Sequence, residues 1–262
     1  MKTVNNENIL LDKKREKVRL KFTRKSLSLY LFVLPSIVLL FIFHYIPIYG
    51  IIIAFEDFKP YLGPFKSEFV GLTNFRMFLR DSAFWAAMKN TIILNLYNLI
   101  FVFPVPILFA ILANEIMNKK FKRTMQTISY LPHFLSWVVV SGMVYQILSP
   151  AENGLVNMVV VNIFKKDSIF FMTEPALFRW IVTAVTIWKG VGWGAILYFA
   201  TLSNIDTELY EAAYIDGANR IKQTIHVTLP GLSSIIVLML LLTVASMFSI
   251  DFDRIYLLQN PL

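Results

Sequence analysis

Five long apolar stretches alternate with polar ones along the chain, at residues 27–55, 87–113, 127–148, 177–201 and 232–250. Each reaches or approaches the roughly 20 residues that carry a helix across a bilayer. The pattern predicts an all-α membrane protein with five visible spans. The first stretch is longer than a bilayer requires, so it tilts or protrudes. Pro35 and Pro47 lie within it and are tolerated where neighbours satisfy the freed carbonyls. His44, between them, is expected to be a buried, hydrogen-bonded imidazole. Pro104 and Pro106 are expected to bend or break the second span. Pro132 falls in the first turns of the third, where proline costs little. Gly190 and Gly194 form a G-x-x-x-G pair that permits close helix approach in the fourth. Residues 56–86 and 149–176 are loops marked by Pro and Gly. The first recurs in Phe, Trp and Tyr, like a segment lying on a membrane surface.

The longest polar break in the second half is 208–230, ELYEAAYIDGANRIKQTIHVTLP. A loop that only joined two spans could be far shorter. Asp206 or Thr207 is placed to cap a short helix, and Glu208 suits its dipole. Leu209, Ala212 and Ala213 share one face, with Glu211 on its flank. Gly217, after Asp216, is placed to stop the helix with a positive φ. A second helical piece with Arg220 and Lys222 leads to Pro230, which is expected to end it before the fifth span. So short a helix–turn–helix has too small a core to stand alone. The break therefore reads as a folded element that another protein grips, controlling a solute path formed by the spans around it.

Composition agrees with a membrane protein: 56% of residues are hydrophobic and 16% charged. There is no Cys, which excludes disulfides and thiolate chemistry. The three His residues lie far apart in sequence, so no metal-ligand spacing exists. The net charge of +8 comes mainly from the first 28 residues, where nine Lys/Arg face Glu7, Asp12 and Glu16. A basic tail before a first span follows the positive-inside rule, with attraction to anionic lipid as a by-product, and nucleic acid is not an expected partner. The apolar run after the tail is too long for a signal peptide and lacks its cleavage pattern. With a cytosolic N-terminus, the three cytosolic segments hold fifteen Lys/Arg and the external ones seven, which supports that orientation. The expected organisation is a basic cytosolic tail at 1–26, a first span with its external loop at 27–86, and a transmembrane domain at 87–262 that carries the cytosolic loop 206–230. The chain stops at Pro261-Leu262 without a polar tail, so a sixth span is expected to be missing there.

Polar residues inside the spans are the candidates for a solute path. Thr91, Asn95 and Asn98 share a helical face, and amides face other helices or a wet cavity. Lys189, near the middle of the fourth span, needs an acid, backbone carbonyls or water. A path for sugar, held by amide hydrogen bonds and aromatic stacking, would draw on Asn95, Asn98, Tyr145, Gln146, Trp188, Lys189 and Trp193, with Trp137 beside them. An interfacial belt suits Trp137 and Trp193 equally well.

Glu211-Ala212-Ala213, Asp216-Gly217-Ala218 and Leu229-Pro230 resemble the EAA loop of permease subunits in binding-protein-dependent ABC importers. Val227 stands where that loop usually has Ile, and Ile205-Asp206-Thr207-Glu208 where many members have a Pro before the Glu. FPVPILFAILANEI, FKRTMQTISYLPHFLSWVVVSG and FDRIYLLQNP are similar to the branch that imports oligosaccharides, close to lipo-oligosaccharide and maltose-type permeases. The resemblance covers nearly the whole chain and implies the type I importer fold with six spans. It implies a second, different permease subunit, an external solute-binding protein that delivers the oligosaccharide, and two cytosolic ATPase subunits that hold ATP and Mg. In that scheme Glu208, Glu211, Ala212, Ala213, Asp216, Gly217, Ala218, Leu229 and Pro230 couple this chain to an ATPase, and the spans alternate between inward- and outward-facing. The chain itself has no G-x-x-x-x-G-K-[ST] phosphate loop. It is expected to hold no cofactor or metal and to have no catalytic residue. A self-contained secondary transporter or channel is the alternative, although no inverted repeat is visible. An intramembrane enzyme would need an acid, and the interiors of spans two to five contain none.

Overall fold

The computed structural model describes residues 24–64, 66–151, 154–247 and 252–259. The first 23 residues of the basic tail lie outside them. The described chain falls into two units, one ending at Phe84 and the other beginning at Trp85.

The first unit is built on one long span, Leu27–Phe55. Helix α1 (Arg24–Leu40) runs into a π turn at Phe41–Tyr45, a single α turn at Ile46–Ile48 and a 3₁₀ segment at Tyr49–Phe55. No residue of these last three segments is buried. His44 is exposed, contrary to expectation, because nothing within the unit packs over it. The loop after the span is a small folded cap. Strands β1 (Glu56–Asp57) and β2 (Glu68–Phe69) pair antiparallel, and helix α2 (Thr73–Arg80) closes the cap. The Asn74 amide donates to the carbonyls of Ala54 and Glu56 at 3.2 and 2.9 Å, tying α2 to the end of the span.

In the second unit, α3 (Ser82–Tyr97), which starts just before the unit boundary, a π turn at Asn98–Val102 and α4 (Pro104–Asn114) make one continuous span. Pro104 and Pro106 do not break it. The π turn supplies the reason. Phe103, just before the proline, donates to Asn98 five residues back, so the widened turn makes room for a ring that would otherwise meet the carbonyl one turn earlier. The same solution recurs at Pro47, where Ile46 donates to Phe41, and at Pro230, where Leu229 donates to Thr224. Pro230 therefore does not end the segment before it. α10 (Arg220–Gln223), the π turn Thr224–Thr228 and α11 (Leu229–Ala245) form a single span, Arg220–Ala245.

The third span departs most from expectation. α5 (Lys119–Tyr130), extended by a 3₁₀ turn at Leu131–Phe134, meets α6 (Trp137–Leu148) at 99°. Local chemistry supports the break. Pro132 has no N–H to continue the ladder, Leu135 is extended, and the Ser136 hydroxyl accepts from the Val139 N–H to start a new helix. Asn118 caps α5 in the same way, accepting from Lys120 and Phe121. Four described helices are long and apolar enough to cross a membrane, or five if this bent pair is one span.

α8 (Pro175–Leu202) is the spine of the unit. It packs along α4 through Ile107, Ala110, Ile111, Ala195, Tyr198 and Leu202, with Leu232 of α11 completing the core. A second cluster joins α6, α8 and α12 (Phe252–Leu258) through Val140, Val144, Val182 and Leu258. Close approach centres on Gly192 and Gly194 rather than on Gly190. A Cβ on Gly192 would sit 2.2 Å from the Ser129 carbonyl oxygen and one on Gly194 3.0 Å from Pro106, while at Gly190 it would meet nothing. The loop 149–176 contains helix α7 (Leu155–Asn162). It is pinned by Asn157, which is buried and bonded to both the N–H and the carbonyl of Ile169.

Candidate functional site

The polar break forms a helical hairpin at one end of α8. The Asp206 carboxylate accepts from the Glu208 N–H at 3.0 Å and starts α9 (Thr207–Ile215). The helix stops in a Schellman arrangement. Ala218 donates to Ala213 at 2.9 Å, Gly217 donates to Tyr214 at 3.0 Å, and Gly217 has φ +77°. Asn219 then caps α10 by accepting from Lys222. The residues that start and stop the first limb, and those that start the second, are therefore local, and the second limb runs on into the last span.

Two contacts attach the hairpin to the bundle and a third braces its turn. The Tyr210 hydroxyl lies 3.0 Å from that of Thr228, joining α9 to the start of the last span. Gln223 is buried and donates to the Ala218 carbonyl across the turn. Arg220 lies 3.6 Å from Glu115, at the end of α4. That pair is solvent-exposed and orients more than it stabilises. Tyr210, Gln223 and Thr228 were not identified from the sequence, since a Tyr and two polar residues in a polar stretch carry no distinguishing pattern.

Outward, the hairpin exposes an apolar surface. Tyr214 is 75% exposed, Ile215 84% and Ile221 70%. A groove of about 610 Å³ lies between its limbs, lined by Tyr210, Glu211, Tyr214, Ile215, Ala218 and Arg220 among others. Glu208, Glu211, Ala212, Asp216 and Gly217 are all exposed, whereas Ala213 and Ala218 are half-buried. Leu229 and Pro230 lie outside the hairpin proper, in the first turn of α11. The spread of apolar side chains is wider than the predicted stripe of Leu209, Ala212 and Ala213.

The residues considered for a solute path do not gather in one place. Asn98 lines a cavity of about 330 Å³ between the π turn after α3, α4, α8, α11 and α12, together with Thr186, Tyr198, Thr243 and Arg254. Arg254 donates to the Thr186 hydroxyl at 3.4 Å. Asn95 instead donates to the carbonyl of Met247, tying α3 to the end of α11. Tyr145 similarly donates to Leu258 at 3.2 Å and holds α12. Gln146 is exposed. Trp188 borders an apolar groove of about 400 Å³ with Val140, Met143 and Ile181. Lys189 is buried and donates to the His133 carbonyl at 2.7 Å, with its ammonium 5.3 Å from the Trp137 ring. Its partner is therefore a backbone carbonyl at the bend between α5 and α6. Trp193 stacks on His133, with ring centroids 4.4 Å apart. Thr186 and Arg254 were missed in the sequence, one as an ordinary mid-helix Thr and the other in a short terminal segment.

Residues 103–250 match the protein family described as "Binding-protein-dependent transport system inner membrane component". The chain belongs to this family. It is 39% identical over 252 residues to the polygalacturonan/rhamnogalacturonan transport system permease protein YteP of Bacillus subtilis, covering 96% of this chain and 78% of that protein. Protein LplB of the same organism is 38% identical, covering 89% and 73%. Among solved structures, the permease resembles a chain of a bacterial ABC transporter that imports the acidic polysaccharide alginate, with TM-score 0.82 and 35% identity over 90% of this chain and 79% of that one. A second structure holds the alginate transporter in complex with an alginate pentasaccharide-bound periplasmic protein, with TM-score 0.81 and 34% identity, covering 90% and 78%. This chain is accordingly a multi-pass permease subunit of a binding-protein-dependent ABC importer with the type I fold. It is not an enzyme, and the ATPase of such systems is a separate subunit.

Proposed function

We propose that this permease moves an oligosaccharide into the cytosol by alternating access, and that the α9–α10 hairpin is the piece an ATPase subunit grips. The observation that carries the reading is the hairpin itself. Its first limb is started and stopped, and its second started, by residues of its own; it is fastened to the last span by Tyr210 and Thr228 and exposes Tyr214, Ile215 and Ile221 to solvent. Apolar groups of that size, on so small an element, call for a partner surface. Glu208, Glu211, Ala212, Ala213, Asp216, Gly217 and Ala218 form the docked limb and its turn, with Leu229 and Pro230 at its root. Two ATPase subunits, each holding ATP and Mg, close on their nucleotides and drive one such hairpin apiece.

The Lys/Arg distribution supports a cytosolic hairpin and a cytosolic N-terminus in a bacterial cytoplasmic membrane. The end of α8 near Pro175 then faces outside, where a solute-binding protein delivers sugar. A second, different permease subunit completes the path. The Asn98 cavity is this chain's contribution to it, and Lys189 and Trp193 shape the wall at the bend. The sugar relatives support this substrate class.

Affinity purification of the tagged chain in mild detergent tests the reading. An ATPase subunit and a second permease are expected to co-purify, and recovery of this chain alone would sink it.

A further inference from the structure

A second cavity, of about 370 Å³, lies toward the Pro175 end of α8, lined by Asn90, Thr173, Phe178, Arg179 and Gln259 among others. Both this cavity and the Asn98 cavity fall within the size range of small-molecule sites. They follow each other along the same three helices. On α3 and the π turn that continues it, Asn90 and Leu94 line the outer one and Asn98 the inner, at four-residue steps. On α8, Arg179 lines the outer and Thr186 the inner, seven residues apart, which is one helical face and about 10 Å of rise. On α12 and the residue that follows it, Ile255 and Gln259 line the outer and Arg254 the inner.

Each cavity thus contains one guanidinium beside side-chain amides or hydroxyls. Arg179 is fixed by donating to Asn90 at 3.1 Å, which engages one of the five donors of its fork. Among the described residues no carboxylate pairs with Arg179, and no Asp or Glu lines either cavity. Phe178, Leu94 and Ile255 give the outer cavity apolar walls suited to the face of a sugar ring. A planar, permanently charged donor fork matches a carboxylate better than a hydroxyl.

We infer that the two cavities are consecutive posts on a path for an acidic oligosaccharide, with Arg179 receiving a sugar carboxylate at the outer mouth before it passes to the cavity of Asn98, Thr186 and Arg254. The inference rests on the importer reading above and adds to it the charge of the substrate and a specificity-determining residue.

The test uses the complete importer, with its second permease, ATPase subunits and binding protein, reconstituted in vesicles. The probes are trigalacturonate and its methyl ester, which share a skeleton and differ in charge. The wild type is expected to take up the acid in preference to the ester. Arg179→Gln should raise KM for the acid about tenfold, the size of one lost charge-assisted hydrogen bond, and leave the ester unaffected. Arg179→Lys should lose less. Asn90→Asp, which keeps the arginine but sets a carboxylate against it, should impair the acid alone. An unchanged KM in both Arg179→Gln and Asn90→Asp, or equal uptake of acid and ester by the wild type, would overturn the inference while leaving the importer reading intact. Absence of ATP-dependent uptake of any oligosaccharide would remove the importer reading and this inference together.

Discussion

The hairpin at α9–α10 and the bend between α5 and α6 are both interruptions of membrane helix, and they are held in opposite ways. The hairpin is closed by residues within a few positions of each break: Asp206, Gly217 and Asn219. The bend is locally cut by Pro132 and Ser136, but its 99° geometry leans on a distant helix. Lys189 reaches the His133 carbonyl, and Gly192 lets α8 press against Ser129. The difference separates two kinds of loss. Damage to the bend should cost the fold, whereas damage to the hairpin should leave the fold standing and cost the transfer of work.

The strongest way to break that comparison is Gly192→Val. Its Cβ would lie 2.2 Å from the main chain of Ser129, which cannot step aside as a side-chain tip would. A loss of about 3 kcal/mol is expected, read as a collapse in detergent-stable yield. Normal yield would show that the contact at the bend is slack. Next, Lys189→Met leaves the His133 carbonyl without its charged donor. It should lower stability by about 1–2 kcal/mol in a thermal-shift measurement while sugar selectivity stays the same. Altered selectivity would instead put Lys189 in contact with the sugar.

The hairpin variants should behave otherwise. At Gly217 a Cβ meets nothing within 4 Å, so Gly217→Val tests the positive φ alone, at about 1–2 kcal/mol of local strain. Membrane insertion and subunit recovery should persist while ATP hydrolysis continues without uptake. Coupled transport by that variant would refute the turn's role. Asp206→Ala removes one cap, at about 1 kcal/mol, and is expected to reduce uptake only about twofold. A loss as large as that of Gly217→Val would mean that fraying of α9, rather than its stop, controls coupling.

The same contrast explains how far the sequence could be read. Capping and helix-stop residues act on their immediate neighbours, so α9, its stop at Gly217 and the restart at Arg220 were legible. So were the first and fourth spans, whose apolar runs nearly coincide with Leu27–Phe55 and Pro175–Leu202. The prolines misled because a proline states only that an ordinary α turn is unavailable. Whether the chain bends, as near Pro132, or widens into a π turn, as before Pro104 and Pro230, depends on what packs around it. Among the polar candidates, helical spacing put Asn95 and Asn98 on one face, toward other helices or a wet cavity, and of the two it is Asn98 that lines a cavity. Asn95 and Tyr145 share its chemistry but bond to the main chain of Met247 and Leu258, partners more than a hundred residues away that no local pattern reveals.

The unbroken passage through Pro230 has a mechanical consequence. Arg220–Ala245 is a single rod of 26 residues, about 39 Å long, with the hairpin's second limb as its foot. Met239 and Thr243, near the far end, form part of the wall of the Asn98 cavity. No loop lies between foot and wall to absorb a displacement. A tilt applied at Arg220 would therefore reach the cavity lining nearly 30 Å away through uninterrupted helix.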